Sequence, residues 1–362
     1  METPIGTEQL RVVDPHRDRR TLLDNFPDSA VDSLVAAAMQ AHISEMARLA
    51  SSLDNVLAAA AKSPKLVADA VQEFARHVVP RWHFAMLNDT ERNDALVVAL
   101  ERRVRPGSHV LDIGSGTGLL AMMAARAGAA RVTSCEANPL LAEIARQVVH
   151  AHGLSDVVTI IPKMSTDIRV GEDIERPADL IVSEIVDCGL IGEGLLPTMR
   201  HARANLLAGG GELMPASGRL VGFLVESSAM AGLNRVNSAG GYDVRAFNIT
   251  TTRGHLPVRL RIWPHRPLCE PMELVSFDLL RGSLDDGSRR IEVPVVASGQ
   301  AHGLVVWFEL DLGAGIVLRN SPENLCSHWM QALVPFERPL PVAAETTVEV
   351  RLRWSGSRLF AH

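Results

Sequence analysis

Two glutamates, Glu184 and Glu193, stand near the ends of the stretch SEIVDCGLIGE, residues 183–193. Burying an anion is unfavourable unless something positive meets it, so a carboxylate at each end of so apolar and glycine-rich a loop suggests a site for a cation. The bland alternative is a solvated loop that carries acids by chance. A second group of residues bears on the choice. In VLDIGSGTG, residues 110–118, Gly114, Gly116 and Gly118 let the backbone turn tightly and come close to a ligand, and a helix beginning near Leu119 aims its amide end at the same place. Glu136 closes the next apolar run 22 positions after Gly114, where an acidic side chain can accept hydrogen bonds from both hydroxyls of a ribose.

The spacing of that loop separates the ligands it could take. A dinucleotide fingerprint reads GxGxxG and admits a pyrophosphate; here it reads GxGxG, with Asp112 two residues before the first glycine. An acid in that place repels phosphate and suits a cationic ligand. VLDIGSGTG resembles motif I of the class I methyltransferases, whose cofactor, S-adenosyl-L-methionine, carries an amino group and a sulfonium. An NAD site and a merely structural turn are the alternatives.

The elements that must carry these residues follow from the periodicity. Residues 28–79 repeat apolar positions every three and four, which predicts helices, with Asp28 or Ser29 as caps. From His109 short apolar runs (HVLDI, RVTSCE, VVTII, ADLIVSE, GELM) alternate with helical stretches, which predicts a parallel sheet covered by helices. Pro215 ends that regime. Beyond it RLVGFLV, VRLRIW, ELVSFDL, GLVVWFELDL and TTVEVRLRW predict an antiparallel barrel or sandwich. The expected fold class is therefore α/β: a Rossmann-like domain over residues 81–214, an antiparallel domain over 215–362, which the family resemblance given below implies is a β-barrel, and a helical segment over 1–80.

Composition narrows the class further. A chain of 362 residues that is 47% hydrophobic can bury a large core, yet no run reaches the roughly 18 apolar residues of a membrane span. METPIGTEQLRVVDPHRDRR has no apolar core of a secretory signal, so a cytoplasmic location is expected. Cys135, Cys188, Cys269 and Cys326 form no CxxC pair, which argues for free thiols and against a zinc knuckle; no metal is expected. Cys188 has no neighbouring base that would make it a nucleophile. A net charge of −6 disfavours a general nucleic-acid surface. Lysine occurs only at Lys62, Lys65 and Lys163 while arginine and alanine abound, a bias of GC-rich bacterial genomes.

With the glycine loop in place, SEIVDCGLIGE resembles the double-glutamate loop of the arginine N-methyltransferases. RWHFAMLNDTERN, residues 81–93, resembles the segment that folds over the cofactor in that family, and CSHWMQ, residues 326–331, its Thr-His-Trp loop with Ser327 in place of threonine. KMSTD and GLIGEGLLP resemble the seven- and nine-type branches. The similarity spans roughly residues 80–340. Two departures stand out: Glu73-Phe74-Ala75-Arg76-His77 replaces a tyrosine-rich YFxxY helix, and Ser165 replaces a glutamate that often meets the adenine.

The resemblance implies roles residue by residue. Arg92 would pair with the cofactor carboxylate, Asp112, Gly114 and Gly116 would hold its methionine portion, Glu136 and Ala137 its ribose, and Met164 and Ser165 its adenine. His83 and Met86 would close the lid. Glu184 and Glu193 would clamp a guanidinium, with His328 catalytic and Trp329 lining the substrate pocket. The implied reaction is methyl transfer to a terminal guanidino nitrogen, leaving S-adenosyl-L-homocysteine. The nine-type likeness and bacterial composition favour free L-arginine in a natural-product pathway; Arg/Gly-rich protein segments are the alternative substrate, and a cofactor-binding regulatory module the non-enzyme alternative. Nucleic acid and membrane are not expected as partners. A homodimer is, through an arm near residues 225–250.

Overall fold

A computed structural model describes residues 28–60 and 64–362; the stretch METPIGTEQLRVVDPHRDRR lies outside the described residues. Two helices come first, α1 (Asp28–Ala60) and α2 (Pro64–Val78), where the three- and four-residue spacing predicts them. Val35, Met39, Ile43, Met46 and Leu53 of α1 are exposed. Among the described residues no helix is long and apolar enough to cross a membrane.

Helices α3 (Trp82–Leu87) and α4 (Thr90–Arg103) lead into a sheet made of β1 (His109–Ile113), β2 (Arg131–Cys135), β3 (Val158–Ile161), β4 (Ala178–Ser183) and β5 (Leu207–Met214). Its order is β3-β2-β1-β4-β5, and every pairing is parallel. All five residues of β1 are buried, as a parallel strand covered on both faces requires; Val110, Leu111 and Ile113 are apolar, and His109 and Asp112 are the buried polar exceptions. The covering helices are α5 (Leu119–Arg126), α6 (Pro139–Ala151) and α7 (Leu195–Asn205). On α6 Leu141, Ala142, Ala145 and Val149 form the buried face. Asn138 caps that helix: its Oδ1 accepts the amides of Leu140 (3.0 Å) and Leu141 (3.4 Å), with Pro139 at the first helical position.

Register places the site. Ile113 pairs with Cys135 on one side and Ser183 on the other, so the residues that leave β1, β2 and β4 emerge at one edge of the sheet. Those residues are Gly114, Glu136 and Glu184. The chain passes from β1 to β2 on one side and has β4 on the other, which is the switch point where open α/β sheets bind ligands.

The chain leaves β5 through a cis Met214–Pro215 peptide and becomes antiparallel. The elements are β6 (Ser217–Glu226), α8 (Ser228–Ala231), β7 (Ser238–Ala239), β8 (Tyr242–Asp243), β9 (Leu256–Val258), β10 (Arg266–Pro267), β11 (Met272–Asp278) and β12 (Gly287–Pro294), then β13 (Gly299–Gly313), β14 (Ile316–Arg319), β15 (Gln331–Val342), β16 (Thr347–Ser355) and β17 (Arg358–Ala361). One sheet runs β10-β6-β13-β15-β9, with β11 on β6 and β14 on β13; a second runs β12-β16-β17. The stretch VRLRIW differs from its expected strand: only Val258 pairs, and Leu260–Ile262 is a 3-10 turn. Pro264, which has no amide to donate, follows directly.

The described residues up to Phe74, with Asn234–Thr251, form one compact unit, and Ala75–Leu233 with Thr252–His362 form another. Within the latter, Arg103 at the end of α4 donates to the carbonyls of Leu213 (2.9 Å) and Leu312 (2.8 Å) and pairs with Glu212 (2.8 Å). One buried guanidinium thus ties α4 to the ends of the parallel and antiparallel sheets.

Asn138→Ala removes the α6 cap, and the expected loss is about 1 kcal/mol of stability. A fall in the urea midpoint at unchanged slope checks it.

Candidate active site

Asp89 begins the site, although nothing in its type announced it. It caps α4, its Oδ1 accepting the amide of Arg92 at 3.0 Å. Its other oxygen, Oδ2, accepts both the backbone amide (2.9 Å) and the Nδ1 of His328 (2.8 Å). A carboxylate can only accept, so Nδ1 carries the proton and Nε2 is left as the free nitrogen. Burial works against the Asp89 charge, but these hydrogen bonds outweigh it and hold the carboxyl below its usual range. Burial lowers His328, with Asp89 pulling the other way, so the ring is neutral near neutral pH. Its partner lies 239 positions away, a meeting that no local pattern encodes.

Three residues along the same helix, Arg92 turns its guanidinium onto Glu184. Nε donates to Glu184 Oε2 at 2.9 Å, and a terminal nitrogen makes a second, short bond to the same oxygen. The remaining terminal nitrogen donates to Asn93 Oδ1 at 2.8 Å. Both partners are only 4% exposed. Arg92 was expected at the cofactor carboxylate; the structure pairs it with Glu184. Burial pushes the Glu184 carboxyl up to about 7 against the pull of Arg92. Glu193, in the turn before α7, is also pushed up to about 7, by burial and then by the charges of Glu184 and Asp187. Solvent reaches much of the Glu193 residue surface, however, and screens that effect more than at Glu184.

The glycine loop fits a cationic ligand. Asp112 is fully buried, takes a hydrogen bond from Ser134 Oγ at 2.6 Å through Oδ2, and has no partner on Oδ1. Burial raises it to about 7. An orphaned carboxylate oxygen beneath a glycine turn is a place for an ammonium or sulfonium, not for phosphate. Gly114, at φ +90°, lies where an added Cβ would sit 2.9 Å from Ile185, so the loop is pressed against the start of the double-glutamate segment. Glu136 accepts the amides of Gly116 (3.0 Å) and Asn138 (2.9 Å), which fixes its carboxylate at the end of β2.

The other expected residues are distributed around this edge. Ala137 is exposed beside Glu136. Met164, 52% exposed, precedes the 3-10 turn Ser165–Asp167, in which Ser165 is buried. His83 donates from Nδ1 to the Pro80 carbonyl at 2.8 Å and stacks on Trp82, ring centroids 3.9 Å apart; Met86 is half-buried on α3. Trp329 donates Nε1 to the Val186 carbonyl at 3.0 Å and meets Phe308 edge to face. Its indole is therefore a strut between the double-glutamate loop and the antiparallel core. Asn320, fully buried, was not foreseen: its Nδ2 donates to the carbonyls of Cys188 (3.1 Å) and Met330 (2.7 Å), joining the two site loops, while Oδ1 accepts the Phe308 amide at 2.6 Å.

This geometry has relatives. Residues 233–359 match the arginine methyltransferase oligomerization subdomain, and residues 94–204 match the ribosomal protein L11 methyltransferase family. The arginine N(omega)-methyltransferase of Streptomyces achromogenes subsp. streptozoticus is 55% identical over 326 residues, 90% of each chain. The chain belongs to the arginine N-methyltransferase family. Protein arginine N-methyltransferase 7 of Oryza sativa subsp. indica is 31% identical over 74% of this methyltransferase, which spans 42% of that relative. Among solved structures, the Trypanosoma brucei PRMT1 enzyme-prozyme heterotetrameric complex with AdoHcy superposes with a TM-score of 0.66 at 26% identity, covering 76% of this chain and 90% of that one. The Arabidopsis thaliana protein arginine methyltransferase 10 shares the fold, with a TM-score of 0.61 at 23% identity over 75% of this chain and 86% of its own. The methyltransferase is thus an S-adenosylmethionine-dependent enzyme of arginine guanidinium methylation.

Arginine stays protonated across the working range, whereas Glu184 and Glu193 titrate near 7. Below that pH the carboxyls are neutral and offer a cation no charge; above it they are ionised. The kcat/KM for the guanidino substrate, at saturating cofactor, is expected to rise between about pH 6 and 8 as the pair titrates. A flat profile over that range goes against this assignment.

Proposed function

We propose that the enzyme methylates a terminal guanidino nitrogen of free L-arginine, with Glu184 and Glu193 as the clamp that holds the guanidinium. The 55% identity over 90% of both chains to the Streptomyces arginine N(omega)-methyltransferase carries this reading. The protein-directed seven-type relative, of which this chain spans only 42%, supports Arg/Gly-rich protein segments less well.

In this reading Arg92 fixes Glu184 through Oε2, leaving Oε1 for the substrate. Glu184 and Glu193 accept hydrogen bonds from the guanidinium, fix its plane and draw positive charge toward the nitrogens they hold. One terminal nitrogen then remains free to attack. S-adenosylmethionine supplies, when bound, a methyl group made electrophilic by its sulfonium. Asp112, Gly114 and Gly116 would hold its methionine portion and Glu136 its ribose, with Ala137, Met164 and Ser165 toward the adenine and His83 and Met86 over it. Asp89 holds His328 as the tautomer protonated on Nδ1, which leaves the Nε2 lone pair to accept the proton that the methylated nitrogen gives up. No covalent enzyme intermediate is needed, since the chain contributes orientation and fixed charge.

Mass spectrometry of parallel reactions offering free L-arginine and an Arg/Gly-rich peptide tests the substrate. Methyl transfer to the amino acid is expected, with Glu184→Gln and Glu193→Gln each lowering kcat on the order of a hundredfold while S-adenosylhomocysteine binding persists. Transfer to the peptide alone would reverse the choice of substrate; single variants with wild-type turnover would remove the clamp.

The assembly proposed for it is a homodimer through the segment 225–250. Support comes from the oligomerization-subdomain match at 233–359 and from Tyr242 and Phe247, which are 76% and 66% exposed. Light scattering is expected to give twice the chain mass, and the double substitution Tyr242→Ser with Phe247→Ser to shift it toward the monomer.

A further inference from the structure

Asp187 lies inside the double-glutamate loop, and its carboxylate is fully engaged. Its Oδ1 accepts the amides of Gly189 (3.1 Å) and Gly192 (2.7 Å), folding residues 187–192 back on themselves. Its Oδ2 lies 2.6 Å from Nε2 of His255, a residue of the antiparallel region 68 positions away whose side chain is 4% exposed. The other ring nitrogen, Nδ1, is 3.1 Å from the backbone nitrogen of Leu359 in β17. A backbone amide can only donate, so Nδ1 is the acceptor and the proton sits on Nε2, pointed at Asp187.

That tautomer decides what the cluster is for. Asp187, Cys188 and His255 bring three potential metal-ligand atoms within 4.8 Å of one another. A metal on Nε2 would need the lone pair that the proton occupies, and it would have to break either the Leu359 or the Asp187 bond. Burial also raises the Cys188 thiol well above its usual range, away from the thiolate a metal requires. The arrangement is a chain of hydrogen bonds, from the Leu359 amide through the imidazole and the carboxylate to two loop amides.

The loop backbone is moulded to this chain. A Cβ on Gly189 would stand 2.5 Å from the His255 ring, and one on Gly192 would stand 2.0 Å from Asp187 Oδ2. Between them Leu190 adopts φ +73°, a conformation that costs a non-glycine residue of order 1 kcal/mol or more and persists only where its surroundings impose it. Glu193 is the residue that follows Gly192, and its carboxylate feels the charge of Glu184, so the backbone this network holds sets where that side chain starts.

We propose that His255 is a positioning residue: through Asp187 it locks the 187–192 turn and thereby aims Glu193 at the guanidinium. The proposal rests on the reading of Glu184 and Glu193 as the clamp. It assigns His255 no contact with substrate or cofactor. Removing the imidazole leaves Asp187 with an unmet acceptor and frees the turn, while Asp112, Gly114, Gly116 and Glu136, on β1 and β2 and their following turns, keep their places.

The test measures kcat, substrate KM, S-adenosylhomocysteine affinity by calorimetry, and thermal midpoint for His255→Ala, His255→Gln, Asp187→Asn and Glu193→Gln in the full chain. A misaimed carboxylate is expected to lower kcat about ten- to a hundredfold in His255→Ala, with S-adenosylhomocysteine affinity within about threefold of wild type. His255→Gln, whose amide can donate to Asp187 from near the place of Nε2, is expected to recover most of the loss. Asp187→Asn combined with His255→Ala should cost no more than the worse single change, since the two act in series. Wild-type kcat in His255→Ala, alongside an impaired Glu193→Gln, overturns the brace and leaves the clamp standing. An unimpaired Glu193→Gln overturns the clamp itself, and the proposal with it. If His255→Ala does not fold, His255→Gln decides: near-wild-type kcat supports the proposal, whereas parallel losses in kcat, cofactor affinity and thermal midpoint make His255 a residue of the fold alone and overturn it.

Discussion

Carboxylates withdrawn from water at the ends of adjacent parallel strands are the constraint on which the rest of this enzyme depends. Asp112 on β1 and Glu184 after β4 are both fully enclosed and both displaced up to about 7, because no hydration shell meets their charge. Left alone, such groups would destabilise the fold or take up protons. Arg92 answers one of them from within the chain. The cofactor's cationic groups are suited to answer the other, Asp112, whose Oδ1 has no partner. A site built this way selects positive ligands by electrostatics before any shape is read.

The loop that follows Glu184 depends on the antiparallel region for its form. Val186 O is held by Trp329 Nε1, Cys188 O by Asn320 Nδ2, and the Asp187 carboxylate by His255. All three donors lie more than a hundred or several tens of positions downstream, in a part of the chain that carries none of the cofactor loop. Residues at the ends of the antiparallel strands β9, β14 and β15 therefore supply hydrogen bonds that the turn cannot make to itself.

Much of the fold was legible because its signals are local. The apolar run of β1, the glycine turn at Gly114 and the acid at Glu136 declare a ligand-binding crevice within a few dozen residues, and the glutamate pair sits in a single loop. Asp89, Asn320 and His255 were not legible as site residues. Each is a common polar residue whose partner is remote in sequence, His328 for Asp89, Cys188 for Asn320 and Asp187 for His255, and no periodicity encodes such a meeting. The Arg92–Glu184 pair was not foreseen, since a sequence does not say which anion a buried guanidinium will meet. VRLRIW failed as a strand for a local reason, the proline that follows it.

The opening turn of α4 carries a further consequence. Asp89 and Arg92 stand one helical turn apart, the first holding His328 and the second holding Glu184, while Arg103 fastens the far end of the same helix to both sheets. The imidazole on one side of the cleft and the carboxylate on the other are thus referred to a single rigid body. Fraying of that one turn would release both together, and winding it would restore both together. The placement of His328 and that of Glu184 are accordingly coupled through one turn of helix.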